Sequence, residues 1–181
     1  MKALPMNKNN QTFRIRTATV RDVPSIESLV TPLAEQGVLL AKERVTYYES
    51  IQEFVMAEDD AAGQNAEPLG CGALHVMWRD IAEIRTLVTA DAARGRGVGK
   101  ALVKELISRA RTLGVKHVFC LTFEVEFFRS QGFEIMQNQS QLDPEIFAEL
   151  LRSPDEGIAE FLNLARVKPN TLGNTCMILE L

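Results

Sequence analysis

The 181-residue chain lacks the features that would place it in several large classes. It has three cysteines, Cys71, Cys120 and Cys176, an odd number, far apart and without metal-ligand spacing. That excludes a disulfide framework and argues for buried thiols in a reducing compartment. With two histidines and no His, Cys, Asp or Glu pair at metal-site spacing, no metal site is expected. No apolar run reaches the roughly 18 residues of a membrane span, and the start MKALPMNKNNQT has no signal-peptide core, so no membrane partner and a cytoplasmic location are expected. Basic excess is missing too: 20 Lys and Arg against 24 Asp and Glu give a net charge of -4, which offers no general attraction to nucleic acid. Any anion site must be local. There is no internal repeat and no low-complexity tract.

What remains is ordinary globular material, 46% hydrophobic and 24% charged, in a length that suits one domain. We expect residues 1–12 to be a frayed, flexible N-terminus and 13–181 to form a single domain. FRIRTA, from Phe13, alternates as a strand. A helix is expected from near Asp22, with Pro24 tolerated in its first turn and Gly37 as its stop. A second helix is expected over Arg44 to Gln52, then strands over Glu53 to Ala57 and Leu69 to Trp78 around an exposed hairpin loop, EDDAAGQNAEP. IAEIRTLVTA, from Ile81, reads as a central strand. VGKALVKELISRARTLG has the strongest helical pattern, with Val98, Leu102, Leu106 and Ile107 on one face and Gly114 at its end. Then come a strand HVFCLTF, a short helix EFFRSQ, a strand from Phe133, helices near Glu145 to Leu151 and Ile158 to Leu164, and a last strand CMILEL. This order predicts an α/β fold with helices flanking a mixed sheet.

Between the central strand and the strong helix lies DAARGRGVGKA, which fails two phosphate-binding templates. A P-loop needs Gly where Arg94 stands and Ser or Thr where Ala101 stands. The dinucleotide fingerprint needs a third Gly where Lys100 or Leu102 stands. A glycine turn opening a helix nevertheless presents unpaired N–H groups to an anion. Arg94, Arg96 and Lys100 add positive charge, and a pyrophosphate would fit there.

Arg94-x-x-Gly97-x-Gly99 resembles the R/Q-x-x-G-x-G/A signature of the GNAT acetyltransferase superfamily. FFRSQGF, ending at Phe133, resembles its second motif, and Glu83 stands eleven residues before Arg94, where several of those enzymes carry a general base. GVLLAKERVTYYESIQEF, the GCGAL from Gly70, and VKPNTLGNTCMILEL are similar to amino-acid N-acetyltransferases of the N-acetylglutamate synthase type. The likeness extends to their short form, which lacks a kinase-like domain and with it that domain's arginine site.

The resemblance implies the GNAT fold, α/β (α+β) with a mostly antiparallel central sheet, and acetyl-CoA as cosubstrate. It implies acetyl transfer to the α-amine of glutamate, the first step of arginine biosynthesis. Glu83 would be the base. Backbone at Leu87 and Val88 would bind the pantetheine, and the turn of Arg94, Gly95, Arg96, Gly97, Val98, Gly99 and Lys100 the pyrophosphate. Lys42, Arg44, Arg85 and Lys168 are the candidate cations for a dicarboxylate, with Asn170 and Asn174 as further candidates. Glu83 and Arg85 share a strand face, so Arg85 either clamps substrate or neutralises Glu83.

Two departures stand out: Phe128 replaces a tyrosine that protonates the leaving thiolate in many relatives, and Cys176 replaces an expected basic residue. Tyr47 and Tyr48 lie in the substrate-side helix. His75, His117 and Trp78 read as structural. Acetylation of glutamine, a polyamine or a protein terminus, and a non-catalytic acyl-CoA-binding regulator, remain open, as does the homodimer common in the superfamily.

Overall fold

Seven extended segments pair into one sheet which, with the strands numbered along the chain, has the order β1-β2-β3-β4-β5-β7-β6. The strands are β1 Phe13–Thr17, β2 Phe54–Asp59, β3 Pro68–Trp78, β4 Ile81–Thr89, β5 His117–Thr122, β6 Glu134–Ile135 and β7 Thr175–Glu180. Their helices are α1 Val23–Glu35, α2 Arg44–Glu49, α3 Val98–Thr112, α4 Val125–Ser130, α5 Pro144–Leu150 and α6 Glu156–Phe161. The computed structural model describes residues 12–60, 67–136, 143–162 and 173–181. Every strand pair is antiparallel except β4 with β5, which the β4-α3-β5 crossover makes parallel. The predicted mixed, mostly antiparallel α/β architecture is therefore what the chain adopts.

Several boundaries differ from the sequence expectation. The second helix ends at Glu49 and passes into a tighter turn over Ile51–Glu53. The strand expected from Phe133 is the two-residue β6, and the last helix begins at Glu156 rather than Ile158. Thr12 closes the segment expected to be frayed, yet its carbonyl accepts the Asp60 N–H at 3.1 Å. The tip of the expected β2-β3 hairpin lies outside the described residues; its flanking strands pair as a hairpin requires.

The two faces of the sheet are covered differently. On one, α3 buries Val98, Leu102, Val103, Leu106, Ile107 and Ala110, a stripe at helical spacing, against Leu74, Ile84, Val118 and Met177. Its close approach needs Gly70 and Gly72 on β3. A Cβ at Gly72 would lie 3.0 Å from the Leu106 side chain, and one at Gly70 would lie 2.5 Å from the Val88 carbonyl oxygen. On the opposite face, α1 and α2 cover Met56, Cys71, Ala73 and Val88. Farther along it, α5 and α6 cover Met77, Ile81 and Phe119. Between these two apolar patches lies a polar strip.

Candidate active site

Two features of β4 open the sheet. It pairs with β5 only through Ile81, Ala82 and Glu83, although it runs on to Thr89. Thr86 also sits in a bulge, with φ of 56°, so Cys71 faces Val88 whereas Ala73 faces Arg85. The extra residue resets the alternation. Leu87 packs on the α3 side and Val88 on the α1 side.

The result is a cleft of about 780 Å³ between the diverging strands. Leu87 and Val88 line it together with Arg94, Gly95, Gly97, Val98 and Gly99 at one end and Lys42, Glu83 and Arg85 at the other. The sequence-predicted cofactor and amine residues thus largely share one cavity.

At the glycine end, Gly97 caps α3 with φ of 79° and Gly95 has φ of 75°. A Cβ at either would meet no atom within 4 Å, so backbone faces open space there. The helix ladder begins with the Ala101 N–H on the Gly97 carbonyl at 3.0 Å. The N–H groups of Val98, Gly99 and Lys100 therefore start the helix without intrahelical acceptors, and the positive end of a 15-residue helix points the same way. This cradle suits a pyrophosphate.

The Arg96 and Lys100 side chains are not among the cleft lining. Arg96 donates to Asp59 and Thr12, both at 2.9 Å, which ties the turn to the β1-β2 end of the sheet. Arg94 lines the cleft and pairs with Asp91 at the surface.

At the other end, Glu83 is 4% exposed and ion-paired with Arg85 at 2.9 Å. Their same-face placement follows from spacing. The second partner of Arg85 does not: Asp155, between α5 and α6, takes Nη1 and Nη2 at 3.0 and 3.2 Å. Nothing local in SPDEG marks Asp155 as more than a helix cap, and it does accept the Ile158 N–H at 3.0 Å. His75 is the register partner of Glu83 and pairs with Glu53 at 2.7 Å.

Burial pushes the Glu83 carboxyl above its ordinary value, Arg85 and Lys42 pull it back in part, and Asp155 pushes it the same way as burial. Lys42 is lowered, first by burial and then by Arg85. Burial also works against the Asp155 charge, but the Arg85 hydrogen bonds prevail and hold it at about 2.

Arg44 pairs with Glu27 at 2.9 Å, its side chain 70% exposed, and is not among the cleft lining. Asn174 lines the cleft; Lys168 and Asn170 lie outside the described residues. Phe128, at the position where the resemblance predicts a tyrosine, lines the cleft, whereas Tyr47 is buried under α1, its hydroxyl raised by burial to about 12. Cys120 also lines the cleft, and burial raises its thiol, so it stays protonated and a poor nucleophile. Among the described residues no group of His, Cys, Asp and Glu is arranged to hold a metal, and no helix is long and apolar enough to cross a membrane.

A strand-splayed cleft with a glycine cradle at one end and a buried carboxylate at the other suits acyl transfer from a pyrophosphate-bearing donor to an amine. The sequence pattern of the acetyltransferase (GNAT) family matches residues 26–133. The chain belongs to that family.

Among relatives, an amino-acid acetyltransferase of Mycobacterium tuberculosis is 47% identical over 168 residues, spanning 92% of this chain and 94% of the relative. A solved Mycobacterium tuberculosis structure, in complex with CoA and NLQ, has a TM-score of 0.87 at 46% identity over 93% of this chain and 99% of that one. N-acetylglutamate synthase from Neisseria gonorrhoeae, complexed with coenzyme A and N-acetyl-glutamate, has a TM-score of 0.71 at 26% identity. It matches 93% of this chain, which spans 35% of that longer protein. The GNAT fold read from Arg94-x-x-Gly97-x-Gly99 is thereby shown.

Proposed function

We propose that the chain is an amino-acid N-acetyltransferase that moves the acetyl group of acetyl-CoA to the α-amine of glutamate, with Glu83 as general base. The observation that carries this reading is the buried Glu83 at the vertex of the cleft, facing the same cavity as the glycine cradle. The amino-acid acetyltransferase relative and the neighbour complexed with N-acetyl-glutamate support the acceptor class.

Acetyl-CoA supplies an acyl thioester. The open space before Gly95 and Gly97 and the α3 N–H groups fit its pyrophosphate, and the β4 backbone near Leu87 and Val88 fits its pantetheine amides. An α-amine attacks only as the free base, so the ammonium proton passes to the Glu83 carboxylate, directly or through water. The new C–N bond forms as the C–S bond breaks, the attacking nitrogen gives up its second proton to water, and CoA leaves as thiolate. No tyrosine is among the described cleft lining, so the thiolate takes a proton from water or leaves unprotonated. Lys42 is the clamp for a substrate carboxylate.

A second reading, glutamine as acceptor, is favoured by one observation. Of the cations at the amine end among the described residues, Arg85 already holds two carboxylates, which leaves Lys42. Glutamate brings two carboxylates, glutamine one.

Steady-state turnover with acetyl-CoA and a panel of glutamate, glutamine, other amino acids and a polyamine tests both readings through thiol release and product mass. Glutamate with the highest kcat/KM supports the first. Preference for glutamine replaces it with the second. Acetyl-CoA binding in a calorimeter without turnover on any acceptor would make the chain a non-catalytic acyl-CoA-binding regulator.

A further inference from the structure

The Arg85 guanidinium is divided between two carboxylates that the sequence keeps far apart. On its side edge Nε donates to Glu83 Oε2 at 3.0 Å, and Nη2 lies 2.9 Å from the same oxygen as an ion pair. Its end edge, Nη1 and Nη2, donates to Asp155 at 3.0 and 3.2 Å across 70 positions of chain. The planar guanidinium thus presents one edge to each carboxylate at the same time.

Asp155 is held in place by more than Arg85. Its backbone N–H donates to Ser153 Oγ at 3.2 Å, and its Oδ1 accepts the Ile158 N–H at 3.0 Å. Behind it α6 is anchored by buried Ile158 and Phe161, and Phe161 stacks on Phe119 with ring centroids 4.1 Å apart. Phe119 is the residue beside Glu83 across β4 and β5. The α6 backbone also closes on the cluster at Gly157. A Cβ there would lie 3.1 Å from Asp155 Oδ1, 3.2 Å from Glu83 Oε2 and 3.4 Å from Arg85 Nη2.

We propose that Asp155 is a positioning residue for acetyl transfer: by occupying the end edge of Arg85 it keeps that cation from fully neutralising Glu83, and so sets the pH range in which Glu83 works as base. The proposal rests on the reading of Glu83 as the base. Among the described residues, the charged and titratable groups facing Glu83 are Arg85 on β4, His75 on β3 with its partner Glu53, Lys42 ahead of α2 and Asp155 ahead of α6. The buried thiols Cys120 and Cys176 on β5 and β7 face it as well. Of the side chains that act on Glu83 most strongly, Arg85, Lys42, Asp155 and His75, only Asp155 acts in the same sense as burial. Without its charge, Arg85 belongs to Glu83 alone, and the base holds a proton less well.

The test is kcat/KM for the acceptor amino acid against pH, at saturating acetyl-CoA, for wild type, Glu83→Gln, Asp155→Asn and Asp155→Glu. Ionisation of the acceptor amine is common to all four, so the lower break isolates Glu83. Asp155→Asn keeps the hydrogen-bonding shape and is expected to move that break down by about one pH unit. Its plateau rate falls several-fold because a weaker base accepts the proton less readily. Asp155→Glu, which keeps the charge, restores the break.

A break at the wild-type pH in Asp155→Asn, with Glu83→Gln lacking it, overturns the role of Asp155 and leaves Glu83 as base. A break that persists in Glu83→Gln overturns the reading of Glu83 itself. If Asp155→Asn does not fold, Asp155→Ser, whose hydroxyl still caps the Ile158 N–H, is read in its place with the same two outcomes.

Discussion

Glu83 and Phe119 are register partners in the last pair that joins β4 to β5 before the strands part. The candidate base therefore sits at the point of the cleft, where the sheet fixes its backbone and the α5-α6 segment shields its carboxyl. Replacing Glu83 by Gln keeps its size and its hydrogen bond from Arg85 but removes proton acceptance. We expect kcat to fall ~10²–10⁴-fold with little change in acceptor KM. Raising the pH should restore part of the rate, because more acceptor amine is then already deprotonated. Near-normal turnover at neutral pH would make Glu83 the structural partner of Arg85 and nothing more.

The same carboxyl leaves a signature in stability. Folded Glu83 binds its proton more tightly than its ordinary value of 4.5, so the folded state holds more protons than the unfolded one between 4.5 and the folded value. Stability contributed by Glu83 is complete below 4.5 and is lost as pH rises through the folded value. Glutamine does not titrate. The unfolding free energy of wild type minus that of Glu83→Gln should fall with rising pH in that window, by at most about 1.4 kcal/mol per unit, and then level off. Asp155 has the opposite sign: held at about 2 against an ordinary 3.8, its contribution is present above 3.8 and disappears as pH falls toward 2. Denaturant titrations of Glu83→Gln and Asp155→Asn beside wild type, at pH steps from acid to neutral, read both slopes. A rising difference for Glu83 would contradict its burial as the dominant influence.

At the cradle, Gly97→Val adds two separate burdens. Its branched side chain enters the open space before the backbone, and φ of 79° strains any β-branched residue by about 1–3 kcal/mol. Gly97→Asn separates them, since asparagine tolerates the left-handed region. We expect Asn to melt closer to wild type than Val does, with CoA affinity at least about tenfold weaker in both by calorimetry. Unchanged affinity in folded Gly97→Asn would reduce the turn to a connector.

These sites differ in how far the chain announces them. The α3 stripe, the glycine turn and the shared face of Glu83 and Arg85 follow from local periodicity, which is a property of neighbouring residues. Asp155 does not, because its tie to Arg85 depends on α6 docking Ile158 and Phe161 onto β5, a contact no local pattern encodes. The Thr86 bulge is equally silent: a threonine occupies a conformation that glycine usually signals. α1 runs through Pro32 to Glu35, two residues short of the stop that Gly37 signals. Arg44 and Arg96 have suitable charge and position in the sequence, but acidic side chains on other elements, Glu27 and Asp59, take them up.

That competition for arginines can be measured at the cofactor end. Arg94 lines the cleft and its partner Asp91 is a surface residue, 90% exposed at the side chain, so its pair is screened and readily exchanged for a phosphate. Arg96 is engaged by Asp59 and Thr12. Arg94→Ala should weaken CoA binding several-fold with little loss of stability. Arg96→Ala should leave affinity within about twofold and cost about 0–1 kcal/mol, as for a partly exposed ion pair. Calorimetry with CoA and thermal melts of the two variants decide it, and a larger affinity loss in Arg96→Ala would mean that the pair with Asp59 opens when CoA binds.

At the acceptor end, Lys42 and Arg44 stand two positions apart with opposite expectations. Lys42 lines the cleft with Glu83 and Arg85, and its lowered pKa reflects a site poor in water. An ammonium there gains most by meeting a substrate carboxylate, and a hydrogen bond to a charged group is worth about 1.5–3 kcal/mol. Lys42→Ala should therefore raise acceptor KM roughly 10–100-fold while changing kcat little, since the clamp holds ground state and transition state alike. Higher pH should not repair it, because the defect is in binding and not in proton removal. Arg44, paired with Glu27 and exposed, should tolerate Ala with KM within about twofold. Measuring both acceptors on Lys42→Ala adds a second reading: if Lys42 holds the side-chain carboxylate, the loss is larger for glutamate than for glutamine, and if it holds the α-carboxylate, the two losses are equal. A larger KM defect in Arg44→Ala than in Lys42→Ala would move the clamp to Arg44 and require its pair with Glu27 to break when substrate binds.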